Sequence, residues 1–185
     1  MLLTEVAAKG LEVLKEVLPH VTRIGVLWNP TTPTHPYVLK VIGATAKGLA
    51  IELVSAPVKD VADFATAFSV MQRERVGGFL VPTSPLTNSQ PAPLAELAVK
   101  HRLPGMFGNR ANVLAGGLMS YGADFNDMYR RSAAYVDKIL RGARPAELPV
   151  EQASKYQLII NRRTADAIGV AIPTSVLLRA DEIVG

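Results

Sequence analysis

The chain has 185 residues, 49% hydrophobic and 19% charged, which suits one ordinary buried core and excludes disordered or collagen-like order. It has no cysteine, so disulfide frameworks, thiolate nucleophiles, zinc knuckles and iron–sulfur ligation drop out together. The 20 Lys and Arg exceed the 16 acids to give +4, but they are scattered and aromatics are only 6%, which argues against nucleic acid as a partner. The nearest basic clusters, Arg130-Arg131 and Arg162-Arg163, fall in amphipathic helical patterns and read as solvated faces. No apolar run is long enough to cross a bilayer, and Met1 to Glu5 lacks the pattern of a secretory signal.

In chain order, Thr4 to Leu18 repeats its apolar residues at helical spacing, with Thr4 as the predicted N-cap and Pro19 as the stop. Arg23 to Trp28 reads as a buried strand that breaks into the proline-rich loop Asn29 to Pro36. A helix over 37–49, a strand over 51–54 and a helix over 61–73 capped by Asp60 follow. Then come strand Gly78 to Val81, a polar loop over 82–91, a helix over about 93–101 and strand Gly105 to Gly108. Strand Leu118 to Tyr121, helix Asp127 to Leu140, the linker Gly142 to Pro149, strand Tyr156 to Ile160 and helix Thr164 to Ile168 complete the chain. This β-α alternation predicts an α/β fold, a doubly wound parallel sheet with helices on both faces.

In such sheets ligands sit beyond the carboxyl ends of the strands, so the loops after RIGVLW, GFLV and GMFG are the candidate site. Asn29, Pro30, Thr31, Thr83, Ser84 and Asn109 offer neutral donors and acceptors on proline-braced loops that contain no Asp or Glu in the first two. Such groups suit recognition by hydrogen bonding, and ordinary turn and capping chemistry is the competing reading. Arg110 is placed either to hold a carboxylate or to form a surface ion pair or cap. Phe107 and Tyr121 offer an apolar wall or core packing, and Trp28 reads as packing inside. Of the three histidines only His35 lies in a site loop, where it reads as an exposed loop residue without an orienting partner. No metal-ligand spacing, phosphate loop or catalytic triad is present, so no cofactor is expected.

Three stretches carry a resemblance. These are Gly116-Gly-Leu-Met-Ser-Tyr-Gly122, the run from Arg130 to Gln152 that contains Ile139-Leu-Arg-Gly-Ala-Arg-Pro145, and Leu158-Ile-Ile-Asn161 with the residues to Gly169 and Ile172-Pro173. Together with Leu11 to Pro30 they resemble the ABC-transporter substrate-binding protein family related to the tryptophan/tyrosine binders, over nearly the whole chain. The resemblance implies a type I periplasmic-binding-protein fold, Rossmann-like or flavodoxin-like in each of two lobes, closing on a small solute and serving ABC permease subunits. It implies no enzyme activity and a periplasmic location.

Against that pattern this chain starts near the first hinge and looks like a member lacking its amino-terminal lobe, a unit of roughly a hundred residues. The expected division is therefore a ligand-binding lobe over 1–117, a strand-helix segment over 118–145 belonging with the missing lobe, and return elements over 146–185. Asn29-Pro30 and Arg110 match family positions. Thr83-Ser84 stand where several relatives place an acid, and Asn112 stands in place of an aromatic. The apolar stripe of 118–140 predicts either docking on the lobe itself in a non-family position or a homodimer. Two other classes stay open at this stage, a cytoplasmic ligand-sensing domain and a small-substrate enzyme on a flavodoxin-like sheet.

Overall fold

The computed structural model describes residues 3–185, the side chain of Leu3 excepted. Helix α1 (Leu3–Val17) leads into β1 (Arg23–Trp28), α2 (His35–Gly48), β2 (Glu52–Pro57), α3 (Asp63–Arg73) and β3 (Gly78–Val81). After β3 come α4 (Pro85–Ser89), α5 (Pro91–Lys100), β4 (Gly105–Phe107), α6 (Arg110–Leu114) and β5 (Met119–Ala123). The long α7 (Phe125–Leu140), a 3₁₀ turn at Pro145–Glu147, β6 (Tyr156–Asn161), α8 (Arg162–Ile168), α9 (Thr174–Leu177) and β7 (Glu182–Val184) finish the chain.

The strands form one seven-stranded sheet in the order β2-β1-β3-β4-β5-β6-β7. The first five run parallel, but β6 pairs antiparallel with β5, Ala123 opposite Tyr156, and β7 follows β6. The sheet is therefore mixed, not wholly parallel. Period-2 alternation distributes the core: Ile24, Val26, Leu80 and Met106 face α1 and α2, whereas Leu27, Phe79, Val81 and Phe107 face α3 and α5. Gly25 has no side chain because Met71 of α3 occupies the space a Cβ would need.

Several sequence expectations need correction. Thr4 lies within α1, which is already helical at Leu3, so it is not the N-cap. The loops over 82–91 and 109–115 contain α4 and α6, five residues each and too short to show a helical period. Within 118–145, β5 is built into the sheet between β4 and β6. Only α7 stands apart, with none of its residues buried. It does not dock on the sheet; its anchors are to the return segment, through Arg131 with Glu151 and Ser154, Tyr135 Oη donating to the Pro149 carbonyl, and Lys155 with Asp127.

Candidate functional site

Because β1, β3, β4 and β5 are parallel neighbours, the segments that follow them emerge at the same end of the sheet. Asn29, Pro30, Thr31, Thr83, Ser84, Asn109 and Arg110 are all found there, with Tyr121 on the last strand before it. Their side chains have different employments.

Asn29 is buried and closes an Asx turn, its Oδ1 accepting from Thr31 N at 2.8 Å and Thr31 Oγ1 at 2.7 Å. Pro30 and Thr31 are exposed on that turn. Ser84 is buried and serves as N-cap of α4 in a capping box with Thr87, so its hydroxyl is occupied by the helix. Asn109 caps α6 through Ala111 N at 2.9 Å. Thr83 Oγ1 donates to the Gly108 carbonyl at 3.1 Å and joins the ends of β3 and β4.

Arg110 realises the ion-pair reading. Its Nε and Nη2 donate to the two carboxylate oxygens of Glu182 at 2.8 and 2.6 Å, a forked contact that spends the geometry a ligand carboxylate would use. The guanidinium holds the Glu182 carboxyl below the usual carboxylate range. Phe107 does not wall the site: it is fully buried and packs edge-on to Phe79 with ring centroids 5.5 Å apart. Tyr121 is half-buried and stacked on Tyr156 at 6.5 Å, and burial pushes its phenol up. Trp28 is half-buried too, its Nε1 donating to Ser55 Oγ at 2.8 Å.

A cavity of about 210 Å³ opens at these strand ends, between Val6 of α1, Thr83, Gly108, Gly122, Phe125 and Tyr156. Among the described residues its lining carries no formal charge and is mostly apolar. A Cβ on Gly122 would fall on the Gly108 carbonyl oxygen, and one on Gly108 would fall on Thr83 Oγ1. A larger opening of about 270 Å³ lies elsewhere, between α7 and residues 149–153.

His35 is the residue that sequence reasoning placed wrongly. It is fully buried, accepting from Asn29 N at Nδ1 (3.0 Å) and contacting the Thr83 carbonyl through Nε2 (3.2 Å). A histidine between prolines in a polar loop gives no sign of such burial. Both ring nitrogens are engaged by backbone, which leaves none to act as a general base. The two glycines carried a weak sign, each standing in or just beyond a strand end where backbone approaches closely.

An α/β lobe with a cavity at the carboxyl ends of its parallel strands has the architecture of one lobe of the periplasmic-binding fold. A family model described as ABC transporter substrate binding protein matches residues 4–184, and the chain belongs to that family, whose members bind solutes and are not enzymes. The enzyme alternative is thereby set aside. The chain is similar to a conserved domain protein from Vibrio cholerae O1 biovar eltor, with TM-score 0.86 and 28% identity over 96% of this chain and 60% of that one. It is also similar to an ABC domain in complex with L-Trp from Streptococcus pneumonia, with TM-score 0.85 and 25% identity over 96% and 62%. A Tyrosine-binding protein of Clostridioides difficile strain R20291 is 22% identical over 86% of this chain and 46% of its own length. The chain thus spans about half to three fifths of these relatives. No described helix is long and apolar enough to cross a membrane.

Proposed function

We propose that the chain captures a small solute for an ABC importer outside the cytoplasm and hands it to the permease subunits, this lobe forming one wall of the cleft. The observation that carries the reading is the cavity at the ends of β3, β4 and β5, lined by Thr83, Gly108 and Gly122 and uncharged among the described residues, in a chain that matches the family from residue 4 to 184. Of the residues singled out in the sequence, Thr83 lines this cavity, and we assign Asn29, Pro30, Thr31, Asn109 and Tyr121 to its surrounding rim. Ser84, Arg110 and Phe107 support it from behind.

The proposed solute is an amino acid or another small carboxylate with an apolar body, as two relatives are described with L-Trp or tyrosine. An ammonium or carboxylate in a dry cleft needs a charged or well-placed polar partner, and the described lining of this cavity includes no charged residue. We assign those contacts to the opposing lobe, which also covers the exposed face of α7.

The test is amide chemical-shift perturbation in the labelled chain titrated with L-tryptophan, L-tyrosine and small aliphatic carboxylates. Shifts centred on Thr83, Gly108 and Gly122, with affinity weaker than micromolar because one wall acts alone, are expected. Sub-micromolar calorimetric affinity, or shifts centred elsewhere, would overturn this assignment.

A further inference from the structure

The strand order reverses between β1 and β3, and their loops part there: the chain leaves β1 for α2 on one face and β3 for α5 on the other. Parting loops are what make a crevice at such a point, and they also leave the two strand ends without a backbone ladder between them. His35 fills that gap. Among the described residues, one hydrogen bond joins the loop over 29–35 to the segment over 82–84, from the ring Nε2 to the Thr83 carbonyl, while Nδ1 holds the ring to Asn29 N within its own loop.

We propose that His35 is the positioning residue of the solute cleft, a neutral imidazole protonated at Nε2 that fixes the loop after β1 against the loop after β3. The tautomer follows from its partners. The Asn29 N–H can only donate, so Nδ1 is the acceptor; the Thr83 carbonyl can only accept, so Nε2 carries the hydrogen. The strap then continues outward. Asn29 holds Thr31 in its Asx turn, and Thr83 holds Gly108, whose carbonyl meets Gly122. One ring therefore registers the ends of four adjacent strands.

A second proton on this ring would break the strap, because Nδ1–H would face Asn29 N–H and a buried donor pair would lose its hydrogen bond. Burial pushes the ring's pKa below the ordinary histidine value, while the Thr83 carbonyl partly offsets this. The ring also opens α2 at its positive end, which disfavours a cation there. Its surroundings are otherwise neutral. Residues 29–34 and 82–84 include no acid or base, Trp28 presents an indole at 6.5 Å, and Tyr37 and Lys40 of α2 are exposed. The sign follows: the unfolded chain binds this proton before the folded one does, so stability and loop order are full above the ordinary histidine range and fall as pH drops through and below it.

This inference rests on the cleft reading, and the experiment keeps the two apart. Imidazole nitrogen spectra of the labelled chain across pH, with amide exchange at Asn29, are compared with His35→Gln and His35→Phe. Gln can accept from Asn29 and donate to Thr83 but cannot take the proton. Wild type should show a single Nε2–H tautomer that persists below the ordinary histidine range, with Asn29 exchanging about tenfold faster once the ring is charged, beyond the intrinsic effect of pH. His35→Gln should retain Asn29 protection and lose that acid step, whereas His35→Phe should lose protection at every pH while the Val26 and Leu80 amides keep theirs.

An Nδ1–H tautomer, an ordinary histidine titration, or an acid step that survives in His35→Gln overturns the proposal. Should His35→Phe fail to fold, wild type and His35→Gln still decide. L-tryptophan titrations of the same proteins separate the two claims. A response at Gly108 unchanged by loss of the strap overturns the positioning role, whereas no response in wild type overturns the cleft reading and with it the proposal that His35 positions a cleft.

Discussion

Arg110 and Glu182, 72 residues apart, lie fork to fork: the first helical turn after β4 grips the first residue of the last strand. The contact ties the chain's terminal strand to the start of α6, which follows β4. Both side chains remain about a third exposed (38% and 35%), so water and salt screen the pair.

Glu182→Gln should therefore cost about 0.5–1 kcal/mol at neutral pH, read from urea midpoints. Because Arg110 depresses the folded-state carboxyl pKa, this stabilisation is present above the unfolded value and fades as pH falls through the folded one. Wild type and variant should converge in acid and in high salt. A constant difference across pH would show that the charge pair is not its source.

Gly122→Ala should destabilise by about 1–3 kcal/mol, since the new methyl meets a backbone carbonyl that no rotamer change can move. Gly43→Ala is the matched control. Its position inside α2 is open, with nothing near a built Cβ, and removing a helix-interior glycine should stabilise by about 0.5–1 kcal/mol. Thermal melts of the two variants should move in opposite directions.

Phe107→Ala should cost about 3–5 kcal/mol, the range for emptying a buried aromatic site. It should act on stability with the m-value kept, and any effect on L-tryptophan binding should come only through unfolding. A loss of binding by a fully folded variant would return Phe107 to the cleft wall.

The fold was largely readable because its strands are short apolar runs separated by helical periods, from RIGVLW onward. The reversal at β6 was not readable, since Tyr156 to Ile160 looks the same in either direction and only the path of α7 decides it. Strand ends pointed to the candidate loops, but side-chain duties within them depend on contacts remote in sequence. Arg110 needed Glu182, and His35 needed Thr83, before either role existed. Ser84 is the local exception, with its cap partner Thr87 three residues on.

The exposed face of α7 supports a test of the covering lobe. Met128, Val136 and Ile139 are 39%, 55% and 41% exposed, and Leu140 is 82% exposed. Changing Val136 and Ile139 to Ser should shift stability by less than about 0.5 kcal/mol per site, as for surface positions, while reducing self-association. Sedimentation across a dilution series would read it. A defined dimer that dissociates in the double variant would assign this face to a second copy instead of an opposing lobe. A large stability loss in the monomer would mean that α7 packs on its own sheet.

The excursion that carries α7 begins and ends at register partners, Ala123 and Tyr156, with Asp124 N donating to the Lys155 carbonyl as one further rung. Topologically it is an insertion into a hairpin. A two-residue Asn-Gly turn would close β5 onto β6 without displacing either strand. Everything between is a cassette that can be shortened, exchanged or lost while the sheet keeps its threading. For the same reason α7 is a lever with a narrow pivot: force on it reaches the rest of the molecule through two adjacent backbones, one rung from Gly122, where there is least slack to absorb it.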